Sequence, residues 1–327
     1  MKKIFITGGA GYIGSHVVKA LSAKGFECLT YDNLYAGHKW AVLGGKFVEG
    51  DLNNSSLLDE TFKNFKPDAV IHLAAYIVVP ESVKDPLKYY ENNVANSLNL
   101  LRIMKKYDVN KIIFSSTAAV YGFPKKVPIK EEAPLNPMNP YGTSKLYIEQ
   151  VLKDITCSDS NFKKIILRFF NVAGADPDGE IGEVSKDISH LITRAIKTAN
   201  KEFDKLQIFG TDYPTTDGTC IRDYIHVSDV ANAHVLALES LLDNGISNIF
   251  NLGYGYGFSV KEVINVIKAV TGVNFIVEET TRREGDPPIL VADSSKIAHA
   301  LNWKPQYNDL KLICKTAWDW ELNRNKQ

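Results

Sequence analysis

Long apolar runs, excess charge and paired cysteines are all missing from this 327-residue sequence. No stretch reaches the ~20 apolar residues needed to span a bilayer. The opening "MKK" is followed by too few apolar residues for the h-region of a signal peptide, so no leader is expected. Lys plus Arg and Asp plus Glu number 38 each, which leaves no basic footprint for nucleic acid and no charge bias toward a membrane. The four cysteines, Cys28, Cys157, Cys220 and Cys314, form no C-x-x-C pair. That argues against a disulfide framework and a zinc site, and for reduced thiols in a cytoplasmic protein. Asp223, His226, Asp229 and His234 lie close in sequence but match no metal spacing. They are expected to be ordinary surface and capping residues, and no metal is expected.

What is present is enough apolar content, 45%, for a large core. "KKIFITG", "ECLTYDN", "KFVEGD", "DAVIHLAA", "KIIFSST" and "KKIILRFF" read as strands, with helical patterns between most of them. Near-continuous apolar strands alternating with helices predict an α/β fold, a doubly wound parallel sheet covered on both faces. After about residue 171 the texture changes to Gly- and Asp-rich loop, a helix over 186–199, a strand at "KLQIFG", and a capping box from Ser259 to Glu262. The expected division is a nucleotide-binding domain over 1–170, rejoined by a segment near 221–250, and a smaller mixed α/β domain over 171–327.

"TGGAGYIG" follows the first strand and opens a helix. Gly8, Gly11 and Gly14 suit a tight turn, close approach to a pyrophosphate, and close helix–strand packing, the Rossmann fingerprint for a dinucleotide. Asp32 ends the second strand, where a carboxylate can bind the ribose hydroxyls of NAD and would repel the phosphate of NADP; the alternative is a turn residue. Asp51 ends the third strand, within reach of an adenine amino group. "HLAA" ends the fourth with small residues that suit close approach, and His72 reads as a packed strand residue.

"NPYGTSKLYIEQ" then places Tyr141 and Lys145 one helical turn apart, behind a cap at Asn139 and a proline. A phenol with a reference pKa near ~10 is a poor base at neutral pH; a nearby cation lowers it. Thr117, at the end of a strand, can hold an alcohol oxygen in line. The bland alternatives are a half-buried tyrosine, a Lys145–Glu149 surface pair in the weaker helical order, and a threonine that only ends a strand.

Together these motifs resemble the extended short-chain dehydrogenase/reductase family, and within it the UDP-hexose 4-epimerases. The likeness runs from "GGAGYIGSH" through "ESVKDPLKYYENNV", "FSSTAAVYG", "NPYGTSK", "RFFNVAGA" and "FGTDYPTTDGTCIRDYIHV" to "RREGDPP". It implies catalysis by Tyr141, Lys145 and Thr117, and an NAD site formed by Gly8, Gly11, Tyr12, Ile13, Gly14, Asp32, Asn33, Leu34, Asp51, Leu52, Leu73, Ala74, Ala75, Asn92, Ser115 and Phe170 with Tyr141 and Lys145. For a UDP-sugar it implies Arg222 and Arg283 on the diphosphate and Asn171 near the sugar and phosphate. Gln207 and Phe209 would line the uridine, Asp286 would meet the ribose, Leu191 would lie in a lid, and Leu290 would wall the sugar beside Thr117 and Tyr141. Related dehydratases carry an Asp-Glu pair after the threonine and related decarboxylases a Glu soon after it; here Ala118 and Ala119 follow. What remains is oxidation at C4, rotation of the keto-sugar, and return of hydride, which interconverts UDP-glucose and UDP-galactose with NAD retained. Two departures stand out: Ile77 where many members have a lysine near the cofactor, and Leu290 where a tyrosine is common. The family also implies a homodimer, and the apolar Leu146, Ile148, Val151, Leu152 and Ile155 on the Tyr141 helix accord with one. Another nucleotide-sugar epimerase or oxidoreductase, or a non-catalytic NAD-binding regulator, is the competing reading.

Overall fold

Val, Ile and Phe crowd the short apolar runs, and the runs become strands buried on both faces; in Lys3–Thr7 and Ala69–His72 every residue but Lys3 is buried. The computed structural model describes residues 1–184, 190–243, 245–283 and 285–324. The chain begins with β1 (Lys3–Thr7), α1 (Tyr12–Ala23), β2 (Glu27–Asp32), β3 (Lys46–Glu49), α2 (Ser55–Phe65) and β4 (Ala69–His72). Next come α3 (Val79–Lys84), α4 (Pro86–Tyr89), a π-helical turn (Tyr90–Ala95), α5 (Asn96–Lys106), β5 (Lys111–Thr117), α6 (Pro140–Ser158), β6 (Lys163–Phe169) and β7 (Asn171–Ala173). Then follow α7 (Leu191–Ala199), β8 (Lys205–Phe209), β9 (Ile221–Arg222), β10 (Tyr224–His226), α8 (Val227–Asp243) and β11 (Asn248–Leu252). The chain closes with β12 (Phe258–Ser259), α9 (Val260–Thr271), β13 (Ile276–Thr280), β14 (Ile289–Leu290), α10 (Ser295–Leu301) and α11 (Leu310–Asn323). Of the helix expected over 186–199, residues 186–189 lie outside the described residues. No helix among the described residues is long and apolar enough to cross a membrane.

Two compact units form. The first comprises Met1–Val120, Leu135–Arg168 and Ala231–Phe250; the second Tyr121–Pro134, Phe169–Val230 and Asn251–Gln327. The first is built on a seven-stranded sheet of order β11-β6-β5-β4-β1-β2-β3, with β1 parallel to β2 and β4, β2 to β3, and β4 to β5. This is the doubly wound Rossmann arrangement. Its strand order reverses at β1, which places a crevice at the carboxyl ends of the strands. Thr7, Asp32, His72 and Thr117 are those ends. Phe5, Tyr31, Phe62, Leu100, Phe114 and Ile148 lead its core; each such buried side chain contributes about 1.5–3 kcal/mol relative to exposure.

The second unit is mixed α/β. Short parallel pairs join β7 to β10 and β8 to β13, while β9 lies between antiparallel β12 and parallel β14. Ile192, Ile196, Leu206, Val263, Ile267 and Ile313 pack its core. The capping box at Ser259 and Glu262 forms, and Gly272, at a φ of 70°, ends that helix. The Asp223–His234 group corrects an expectation: all four of its residues are buried, at 0–1% exposure. Asp229 is there an acceptor for the Tyr254 hydroxyl and the Gln306 and Tyr307 N–H groups. A buried carboxylate must be satisfied this way, and charge pattern alone gives no sign of it.

Candidate active site

In the first unit the glycine loop leaves no room for side chains. Gly8 sits at a φ of +71°, and a β-carbon there would lie 2.6 Å from the Ala74 nitrogen. One on Gly14 would lie 2.0 Å from the Gly8 carbonyl oxygen. Gly11 is the N-cap of α1 and provides no side-chain cap, so this helix start presents its positive dipole end to an anion. Asp32 is 8% exposed. Its two oxygens accept from Ala10 N–H at 3.0 Å and Leu34 N–H at 2.9 Å, and burial raises its pKa despite these bonds. A carboxylate has about four acceptor positions, so capacity remains for a diol. The bond to Leu34 is a local turn contact, as the turn reading of Asp32 expects. Asn33 donates to Asp51 at 2.6 Å. Leu52 is buried, Leu73 and Ala74 run on from β4 with N–H groups bonded to Thr7, Ala75 is partly buried beyond them, and Asn92 donates to Asn93 in the π-helical turn. Ser115 Oγ is buried without a hydrogen-bond partner. A cradle that β-carbons would fill, an uncapped helix start and an orphaned hydroxyl together fit a dinucleotide. His72 is a packed strand residue, bonded to Thr7 and Ser97.

Asn139 caps α6 by accepting from Gly142 N–H at 2.8 Å, with Pro140 in the first turn. The Tyr141 hydroxyl meets Thr117, and burial raises its pKa while that hydrogen bond lowers it. Lys145 is 4% exposed. Its Nζ donates to the Ser115 carbonyl at 2.8 Å and lies 5.0 Å from the centre of the Phe114 ring. Burial brings its pKa down to about 7, against the opposing charge of Glu149. In the protein alone, then, burial outweighs the Thr117 hydrogen bond and leaves the phenol above its ordinary range. The surface-pair alternative fails on geometry: Glu149 is 4% exposed and bound to Arg168 at 2.6 Å. Sequence reading missed Arg168; its one signal is a lone charge inside the apolar run "IILRFF".

A lysine whose folded pKa lies below its unfolded value binds fewer protons folded than unfolded. Stability therefore rises with pH from about 7 toward the ordinary lysine range, and the burial cost is fully present below that window. Lys145→Met should raise the thermal midpoint by a few degrees at neutral and lower pH, with the gain fading as pH rises, while turnover is lost. Calorimetry across the window checks this; a lower midpoint at neutral pH would contradict it.

In the second unit Arg222 and Leu290 are register partners on β9 and β14. Arg222 donates to the Ile221 carbonyl at 2.9 Å and approaches Asp286 at 3.4 Å. It does not pair with Asp223, whose carboxylate accepts from Tyr254, Gly255 and Ala292 N–H groups. Burial raises Asp223 to about 6 against those bonds. The Asp223 backbone also ties the region together: its N–H donates to Leu290 and its carbonyl accepts from Asn171 N–H and Nδ2. The Arg283 guanidinium lies 3.8 Å from the centre of the Phe209 ring, a cation–π contact. Gln207, on the same face of β8 as Phe209, donates to Glu278 at 3.0 Å. Leu191 begins α7 and is partly buried; Phe170 is 7% exposed and donates through its N–H to Leu252.

Residues 4–253 match the NAD dependent epimerase/dehydratase family. The chain is 49% identical over 320 residues to a UDP-glucose 4-epimerase of Azospirillum brasilense, covering 98% of this chain and 92% of that one. The structure is similar to that of UDP-glucose 4-epimerase from Brucella ovis in complex with NAD, at a TM-score of 0.94 and 45% identity, covering 98% of each chain. It is also similar to the UDP-Glc/GlcNAc 4-epimerase from Campylobacter jejuni, at a TM-score of 0.87 and 49% identity, covering 99% of this chain and 100% of that one. Glycine cradle, Tyr–Lys helix and near full-length likeness converge: the chain belongs to the NAD dependent epimerase/dehydratase family and, within it, to the UDP-glucose 4-epimerases.

Proposed function

We propose that this chain interconverts UDP-glucose and UDP-galactose with Tyr141 as the base at the sugar C4 hydroxyl, and that UDP-GlcNAc and UDP-GalNAc are also substrates. The carrying observation is the docking of α6 on β5, which sets Tyr141 against Thr117 and Lys145 against Ser115. Bound NAD would supply the hydride acceptor and donor for C4. Gly8, Gly11 and Gly14 with the α1 start would hold its pyrophosphate, Asp32 its ribose and Asp51 its adenine, with Tyr12, Ile13, Asn33, Leu34, Leu52, Leu73, Ala74, Ala75, Asn92, Ser115 and Phe170 completing the site. Ile77, 51% exposed, provides no cation there.

Thr117 hydrogen-bonds the reacting oxygen and leaves its proton to Tyr141. Lys145 supplies the positive charge that favours the phenolate. Ala118 and Ala119 offer no carboxylate for elimination, and the Ala119 N–H instead donates to Thr117 at 3.1 Å. Epimerisation needs a firm grip on the UDP end, assigned to Arg222 and Arg283 on the diphosphate, Gln207 and Phe209 on the uridine, Asp286 on the ribose, Asn171 near the sugar and phosphate, and Leu191 in the lid. Purified protein should convert UDP-galactose without added NAD; a strict need for added NAD in every turnover would favour an oxidoreductase.

The wider sugar range rests on Leu290, which has less bulk than tyrosine and no hydroxyl, and on the substrates in the name of the Campylobacter jejuni relative. Leu290→Tyr should remove most UDP-GlcNAc turnover, about tenfold or more from a filled pocket, and keep UDP-galactose turnover. Product analysis with both sugars checks it; no UDP-GlcNAc turnover by the parent at saturation would sink it. A cytoplasmic homodimer completes the reading. Supporting the homodimer, Leu146 on α6 is only partly buried, and Tyr147, Val83 and Leu87 are exposed at 49%, 61% and 69%; Ile148 and Leu152 instead fill the core of the first unit, with Val151 and Ile155 packed against it.

A further inference from the structure

Tyr141, Lys145 and Glu149 recur every fourth residue on α6 and therefore share one face. Each finds its own partner on β5. Thr117 meets the Tyr141 hydroxyl, the Ser115 carbonyl accepts from Lys145 at 2.8 Å, and the Ser116 hydroxyl donates to Glu149 at 2.5 Å. Arg168, on neighbouring β6, closes the ladder, donating from Nε at 3.0 Å and from Nη2 at 2.6 Å to the two Glu149 oxygens. Both side chains of this pair are nearly inaccessible, at 2% and 4%. A buried ion pair costs so much desolvation that apolar replacements are often equally stable, so stability alone does not account for it.

We propose that Glu149, clamped by Arg168, is a positioning residue for the reaction. It fixes α6 on β5 so that Tyr141 and Lys145 meet Thr117 and Ser115, and it supplies the negative charge that keeps Lys145 an ammonium ion. This rests on the reading of Tyr141 as the base; Glu149 acts through Lys145. Several groups face Lys145. Tyr141 and Glu149 share its helix, and Ser115 and Phe114 lie on β5. His72 on β4 is kept neutral by burial and by the Lys145 charge, its pKa brought down to about 3. Arg168 on β6 is bound to Glu149. Glu149 is the anion of this set, and its charge opposes the burial that strips the proton from Lys145.

The test is Glu149→Gln/Arg168→Met in the holoenzyme, which removes both charges and keeps an acceptor for Ser116. Two quantities are read: the pH profile of kcat, and the phenolate absorbance of Tyr141, taken as the difference between each protein and its own Tyr141→Phe counterpart. Loss of the Glu149 charge should move the alkaline limb of kcat down by about one pH unit, and phenolate formation up by a similar amount. Profiles that overlay those of the parent would reduce Glu149 to a structural role and overturn the proposal. Full turnover by Tyr141→Phe would instead overturn the base assignment, and the two failures are thus distinct. If the double variant does not fold, Glu149→Asp carries the test. With the charge kept and the clamp one methylene shorter, the pH profile should hold while kcat falls about tenfold or more; a parental kcat would overturn the clamp.

Discussion

Tyr141→Phe should bind UDP as the parent does and turn over UDP-galactose about 10²–10⁴-fold more slowly, the usual loss when a positioned base is removed. The ring keeps its packing, so the change is confined to one oxygen. That oxygen meets Thr117, and its pKa is raised by burial and lowered by the threonine. Without it the C4 hydroxyl has lost the group assigned to take its proton, and neutral Thr117 is no substitute base. The loss should fall on kcat rather than on substrate affinity, because the phenolate interaction belongs to the transition state. Turnover of UDP-galactose alongside calorimetric titration with UDP checks it. A near-parental kcat would remove Tyr141 from the chemistry; a loss of UDP binding would show that the ring supports the substrate site.

Arg168→Met should destabilise the protein by about 3–5 kcal/mol, the cost of breaking a buried ion pair from one side. Glu149 would retain the Ser116 hydroxyl and the charge of Lys145, but would lose two charge-assisted bonds inside the sheet–helix layer. Drawing Lys145 away from the Ser115 carbonyl would also lower turnover. The double change with Glu149→Gln should recover most of the stability, since no uncompensated charge is then buried; this non-additivity is the mark of a shared interaction. Denaturant unfolding of parent, single and double variants measures it. A loss under 1 kcal/mol in the single variant would mean that water or another group reaches Glu149.

The amino-acid sequence by itself determined the strand–helix alternation, the doubly wound sheet and the family. These are local or periodic properties: apolar runs in strands, glycines where a loop must lie close to backbone, and a proline-led helix with tyrosine and lysine one turn apart. The absence of carboxylates after Thr117 is equally local. Tertiary structure alone decided which long-range partners the charged residues take. Lys145 and Glu149 stand four apart and look like a surface pair, yet β5 and β6 bring Ser115 to one and Arg168 to the other. Asp223 and Asp229 look like solvated charges, yet residues far along the chain bring the backbone N–H groups that satisfy them. Burial also reset the balance at the Tyr–Lys pair, because desolvation depends on everything packed around a group and spacing records only its neighbours on one helix.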